Sequence, residues 1–181
     1  MTLRLDDGAE VILSPLLFED RKLIEAGFAQ LSERSRYTRF GQGRAALSDS
    51  ELDYLANVDQ TDHVAWGVSV DGSGVGVGRY IVSRADRCAE VAVTVVDEYQ
   101  GRGIGRLLLE TLVATARHDG VEEFCFDVVP DNAIVRHMLI GIAEDETMVD
   151  GLMVSRVTVA DLPEFAIEDD AKRVLTEFRS N

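Results

Sequence analysis

Nine consecutive residues, Glu98-Tyr99-Gln100-Gly101-Arg102-Gly103-Ile104-Gly105-Arg106, have the types and spacing needed to hold a phosphate. They follow a β-branched apolar run, Val91 to Val96, and lead into apolar residues at helical spacing, Ile104, Leu107, Leu108 and Leu112. A strand, a glycine loop and a helix start, in that order, aim backbone N–H groups at one point with the helix dipole behind them. Gly101, Gly103 and Gly105 have no Cβ, so the backbone can approach a diphosphate closely. The N–H groups of residues 101 to 106 would donate to it, and Arg102 and Arg106 would add charge-assisted contacts. Two other phosphate loops fit less well. A nucleotide P-loop ends in Gly-Lys-Ser/Thr, whereas this loop reads Gly105-Arg106-Leu107. A dinucleotide fingerprint needs a third glycine where Arg106 stands, although Asp127 on the following strand would suit a ribose.

The elements around the loop follow from periodicity and turn chemistry. A first strand is expected over Ala9 to Leu13, then a helix from Glu19 to Leu31. Ser32 to Phe40 is aromatic and basic. Ser48 with Glu51 three residues on forms a capping box ahead of a short helix through Leu52, Leu55 and Ala56. His63 to Val70 and Val75 to Ser83 flank Asp71-Gly72-Ser73-Gly74, a hairpin signal, and Ala89 to Val96 continues the meander. The helix after the loop stops at Asp119-Gly120, with the glycine as C-cap. Glu123 to Val129 is a strand ended by Pro130, and Asn132 to Ile142 has helical spacing. Strands Thr147 to Val149 and Leu152 to Val159 meet at Asp150-Gly151, and a helix from Glu168 to Phe178 closes the chain. An antiparallel meander followed by β-loop-α-β-α-β is a mixed α+β pattern, not an all-parallel sheet.

Composition sets limits on partners. The 181 residues are 46% hydrophobic, enough for one domain with its own core. No apolar run reaches the ~18 residues of a membrane span, and Met1 to Glu10 does not read as a signal peptide. Formal net charge is −15, the wrong sign for a nucleic-acid footprint. An acidic surface attracts a cationic acceptor such as an amine, or confers solubility alone. Cys88 and Cys125 form no C-x-x-C pair and are expected to be reduced thiols in a cytoplasmic protein, Cys125 packed inside its strand. His63, His118 and His137 lack metal-ligand spacing.

Gln100-Gly101-Arg102-Gly103-Ile104-Gly105 between a strand and a helix resembles the acyl-CoA signature of the GCN5-related N-acetyltransferases (GNAT). The element order from Ala9 to Val159 resembles that fold as well. Ser35-Arg36-Tyr37-Thr38-Arg39-Phe40, Gly76-Val77-Gly78-Arg79-Tyr80-Ile81 and Ala89-Glu90-Val91-Ala92 resemble the acetyltransferase domain of mycobacterial-type protein lysine acetyltransferases. The resemblance implies an α+β fold with a central mixed, mostly antiparallel twisted sheet of six to seven strands. Helices would cover both faces, and strands would splay at the acyl-CoA site. Residues 1–162 would form the acetyltransferase domain and 163–181 a C-terminal tail and helix. Acetyl-CoA would be the donor and an amine the acceptor, with a protein lysine leading, a small-molecule amine next, and a non-catalytic acyl-CoA sensor as the alternative. Neither nucleic acid nor membrane is expected as a partner, and the protein would be a monomer or homodimer.

Amine acetylation requires a base, because a lysine-type ammonium (pKa ~10.4) is not nucleophilic. Strand alternation places Glu90, Ala92, Thr94 and Val96 on one face, where a carboxylate among small side chains would line a cleft floor. The resemblance makes Glu90 the general base; the alternative is a strand-end glutamate paired with Arg84 or Arg87. Burial would raise its pKa toward a useful value. The resemblance also implies that pantetheine pairs with the freed strand edge around Val93 and Val95, with the Val95 N–H serving as oxyanion donor. Gln100, Gly101, Arg102, Gly103, Ile104, Gly105 and Arg106 would hold the diphosphate. Asn132 is either a further cofactor ligand or a helix N-cap. No tyrosine stands in Val135-Arg136-His137-Met138-Leu139-Ile140 to act as general acid, and the usual Gly-Phe ending is Gly141-Ile142. Tyr37, Arg39 and Phe40 would border the acceptor cleft or pack as ordinary helix residues. Trp66 is expected in the core or on a strand surface.

Overall fold

A computed structural model describes residues 1–40, 45–83, 85, 88–139, 142, 143 and 145–180. Eight strands form one sheet: β1 (Thr2–Arg4), β2 (Glu10–Pro15), β3 (His63–Val70), β4 (Ser73–Ser83), β5 (Cys88–Val95), β6 (Glu123–Val128), β7 (Asp145–Val149) and β8 (Leu152–Thr158). Their order across the sheet is β1-β2-β3-β4-β5-β6-β8-β7. Every neighbouring pair is antiparallel except β5 and β6. The sheet has one strand more than the six to seven expected. The addition is β1, which pairs Thr2 with Ile12 and Arg4 with Glu10 around the turn at Gly8 (φ 86°). Three residues are too short a run to show alternation.

Six α-helices are present among the described residues: α1 (Arg21–Ala29), α2 (Glu33–Phe40), α3 (Asp49–Ala56), α4 (Ile104–Asp119), α5 (Ala133–Leu139) and α6 (Glu168–Arg179). The expected punctuation is present. Ser48 and Glu51 close the capping box of α3, with the Ser48 N–H donating to Glu51 Oε2 at 2.9 Å. Gly120 caps α4 in the left-handed region at φ 73°. The hairpins turn on Asp71-Gly72 (φ 49° and 79°) and Asp150-Gly151 (φ 48° and 84°), the positive-φ pairs that suit a two-residue loop. No described helix is long and apolar enough to cross a membrane.

Helices lie on both faces. α4 packs directly on β4, because Gly76 and Gly78 leave room for it. A Cβ on Gly76 would sit 3.0 Å from Ile104, and one on Gly78 would sit 3.1 Å from Leu108. Ile104, Leu108, Leu112, Trp66, Tyr80 and Phe124 are essentially inaccessible at the centre of this layer. Trp66 is therefore core, and its indole donates to Thr115 Oγ1 at 3.1 Å. α6 continues the same core through Ala171 and Leu175 and is tied down by Arg117–Glu168 and Arg179–Asp119 ion pairs. The opposite face of the sheet carries α1, α2 and α3.

The parallel contact between β5 and β6 is brief. Only Ala89↔Phe124 and Glu90↔Cys125 are in register. Cys88 and Cys125 are joined there as a disulfide, with Cα atoms 5.9 Å apart, inside the usual range. This corrects the expectation of two reduced thiols. The cysteines are 37 residues apart in sequence, and only the parallel crossover sets them side by side. Closing a loop of this length stabilises a fold by about 2–4 kcal/mol. Dithiothreitol is accordingly expected to lower the wild type's unfolding free energy, taken from urea melts, by that amount, and its midpoint with it. Cys125→Ser should start at the lowered value and ignore the reductant; an unmoved wild-type midpoint would disprove the bond's contribution.

Buried His63 provides a second check on the fold. Its Nε2 faces Arg79 Nη1 at 3.1 Å, its ring stacks 5.6 Å from Tyr54, and the Asp59 carboxylate lies near. Burial, then the Arg79 charge, pushes its pKa down to about 4 from the ordinary 6.5, against a smaller opposing pull from Asp59. The unfolded chain takes up a proton below pH ~6.5 that the native ring refuses. Stability should therefore fall as pH drops from about 6.5 to about 4. Denaturant melts of His63→Gln should show a flatter dependence across that window.

Candidate active site

The site begins where β5 leaves β6. Val96 N donates to Val75 O on β4 at 2.9 Å, so strand alternation turns the N–H groups of Val93 and Val95 toward the β6 side. The ladder with β6 ends at Glu90, and that edge beyond Glu90 has no strand partner. A cleft of ≈ 820 Å³ opens here, with Val93, Val95, Gln100, Gly101, Gly105 and Asn132 among its walls and Glu90 at its rim.

The glycine loop meets this cleft from above. Gly101 and Gly103 have φ of 73° and 87°, and a Cβ on either would meet nothing within 4 Å. Gly103 is the N-cap of α4, and the first helical bond closes from Leu107 N to Gly103 O at 2.9 Å. The N–H groups of residues 104, 105 and 106 therefore have no intrahelical acceptor. The dipole of the sixteen-residue α4 stands behind them. Open space above left-handed glycines, free helix N–H groups and an unpaired strand edge together fit a diphosphate joined to an extended arm.

The family model for Acetyltransferase (GNAT) proteins matches residues 27–140, which contain the whole of this construction. The chain belongs to the GNAT acetyltransferase family. An acetyltransferase of Pseudomonas aeruginosa is 33% identical over 123 residues, 66% of each chain. Acetyltransferase Pat of Mycolicibacterium smegmatis is 34% identical over 135 residues, 73% of this chain and 40% of that protein. The chain thus spans about two-fifths of the length of that relative. The GNAT domain of S. lividans PAT superposes with a TM-score of 0.79 at 26% identity, covering 87% of this chain and 96% of that one.

Within this GNAT fold the site residues take different parts. Glu90 is exposed on the β5 face that carries Ala92 and Thr94, and no hydrogen bond or ion pair engages it among the described residues. The burial expected of it is absent. Arg84 and Arg87, its alternative partners, lie outside the described residues, as do Ile140 and Gly141. The Ile104 side chain is core, leaving only its N–H for a ligand. Gln100 uses its amide internally, donating to Val95 O at 3.0 Å and Ser35 Oγ at 3.3 Å. It fixes the loop to β5 and α2.

Arg102 and Arg106 are not idle cations. Arg102 Nε is 2.6 Å from Asp7 Oδ2, and its guanidinium lies over Tyr99 at 5.3 Å. Arg106 Nε is 2.6 Å from Glu110. Both carboxylates would have to be displaced or shared for either arginine to contact a phosphate, whereas the helix-start N–H groups need displace nothing within the helix. Asp7 belongs to the β1–β2 turn, which sequence reasoning left unassigned. Asn132 is the N-cap of α5: its Oδ1 accepts from Val135 N at 3.3 Å while the residue lines the cleft. His137 is exposed, and Tyr37 lies outside the cleft walls, whereas Arg39 and Phe40 form part of them.

Asp97 was missed in the sequence. It accepts from Ser32 N, Ser32 Oγ and Ser35 Oγ at 2.6–2.9 Å, docking the start of α2 beside the loop. Burial by itself would raise its pKa; the hydrogen bonds from Ser32 and Ser35 outweigh that and hold the carboxyl below its usual value. Its partners are more than sixty residues away in sequence, so local pattern carried no trace of them.

Proposed function

We propose that the protein transfers an acetyl group from acetyl-CoA to an amine, with a protein lysine as the leading acceptor. Membership of the GNAT family supports acetyl transfer. The observation that carries the reading is the conjunction of the free N–H groups at the start of α4 with the unpaired β5 edge leading to Glu90. When bound, acetyl-CoA supplies an acyl thioester whose carbonyl carbon an uncharged amine attacks as the thiol departs.

The residues of the chain have three tasks. The N–H groups of residues 101 to 106 hold the diphosphate, with the dipole of α4 adding to them. The Val93–Val95 edge receives the extended arm, and the Val95 N–H donates to the developing oxyanion. Glu90 takes the proton from the ammonium, directly or through water, and its exposure at the rim leaves it open to an acceptor arriving from solvent. The acidic balance of the chain favours a cationic acceptor approaching that rim. Nothing on α5 supplies a general acid, and a CoA thiol leaves readily enough to do without one.

The test is thiol release from acetyl-CoA with lysine peptides, intact proteins and small amines. Turnover with any amine supports the reading. Tight acetyl-CoA binding with no turnover would favour a non-catalytic acyl-CoA sensor, and absence of CoA binding would overturn both.

A further inference from the structure

A second cavity, of ≈ 170 Å³, lies on the α1–α3 face of the sheet. Arg79, Ala92 and Thr94 are on its floor, and Arg39 and Phe40 on its wall. Arg39, Phe40, Ala92 and Thr94 also line the large cleft, so the cavity opens beside the rim where Glu90 stands.

Its two arginines are unusual for this chain. Arg21, Arg102, Arg106, Arg117 and Arg179 each hold a carboxylate within 4 Å. Arg79 is only 5% exposed and has no such partner among the described residues. Its Nη1 faces Leu55 O and His63 Nε2, both at 3.1 Å. The His63 ring is neutral over the working range, so it contributes no negative charge. Arg39 makes no hydrogen bond or ion pair among the described residues; its guanidinium rests on the Phe40 ring at 4.9 Å. The two guanidiniums repel each other: burial first, then the Arg39 charge, push Arg79 down to about 9. Tyr54 of α3 lies within electrostatic reach of both, and Glu90 within reach of Arg39.

Two neighbouring guanidiniums, one of them buried and neither ion-paired among the described residues, are costly, in a protein with 33 acidic residues that could have supplied a pairing carboxylate. An anion entering the cavity would remove that cost, and a planar carboxylate matches the guanidinium fork. We infer that the acceptor carries a carboxylate as well as an amine, with Arg39 and Arg79 binding the carboxylate while the amine faces Glu90. The inference rests on the amine-acetylating reading of the site. Register sets the spacing of the backbones: Arg79 on β4 is opposite Ala92, and Glu90 is two residues along the same face of β5, about 8 Å from Arg79 when the strand rise and the gap between strands are combined. That separation suits a free amino acid, or a lysine with an acidic neighbour in a peptide. The cavity is too small for a nucleotide.

Two matched acceptor pairs distinguish these sources: free lysine against lysinamide, and a lysine peptide with a flanking Glu against the same peptide with Gln. The carboxylate-bearing member of one pair should have kcat/KM at least tenfold higher, and the pair that shows this names the source. In Arg39→Gln that ratio should fall toward one. A direct readout is succinate binding to the free protein by calorimetry, expected to weaken at least tenfold in Arg39→Gln. Equal turnover within both pairs overturns the inference while leaving the acetyltransferase reading intact. So does an Arg39→Gln variant that slows both members equally, since Arg39 would then serve Glu90 and not the acceptor. If acetyl-CoA binds and no amine turns over, the acetyltransferase reading fails on its own, and Arg39-dependent succinate binding decides the anion site.

Discussion

Glu90→Gln is expected to lower kcat for amine acetylation by about 10²- to 10⁴-fold, the range general-base catalysis supplies, with little change in acetyl-CoA affinity. The substitution keeps the shape of the side chain and removes its capacity to accept a proton. Glu90 is exposed and makes no side-chain bond among the described residues that the change would break, so stability should be nearly unaltered, which a denaturant melt of the variant checks. The residual rate should climb about tenfold per pH unit toward the amine pKa of ~10.4, because only the spontaneously deprotonated acceptor would then react. The wild type should be less steep near neutrality. Steady-state kinetics over pH 6–9 (about the practical range for a lysine acceptor) measure both features. Unchanged kcat in the variant would remove Glu90 from the mechanism.

Gly103→Val should weaken acetyl-CoA binding by about 10- to 100-fold, measured by calorimetry. The reason is conformational. At φ 87° a β-branched residue is strained, although its Cβ would touch nothing within 4 Å. Relief of that strain rotates the loop and moves the N–H groups of residues 104 to 106, which follow directly from this N-cap. Each hydrogen bond to a charged group is worth about 1.5–3 kcal/mol, so losing one or two accounts for the expected weakening. Arg106→Gln should do far less, since that guanidinium is 79% exposed and already holds Glu110. A Gly103→Val protein that bound acetyl-CoA normally would mean that the diphosphate is held elsewhere.

Local chemistry was readable where the cause was local. The capping box at Ser48, the C-cap at Gly120 and the two hairpin turns depend on residues within a few positions of one another, and each formed where its sequence indicated. The glycine loop belongs to the same class, because a strand, left-handed glycines and a helix start are contiguous. β1 and α2 were harder to read. β1 has three residues, and α2 is a polar stretch held by the remote Asp97 carboxylate, not by an apolar stripe of its own.

The sequence by itself determined the secondary structure apart from β1 and α2, the glycine loop and the α+β class, since these follow from periodicity and turn residues along a short stretch of chain. Only the tertiary structure decided which charges are engaged. It paired Arg102 with Asp7 across 95 positions, joined Cys88 to Cys125, left Glu90 exposed, and set Arg39 beside Arg79 with neither ion-paired among the described residues. The physical reason is that burial and ion pairing depend on distance in space, which strand order and helix docking fix and sequence separation does not record.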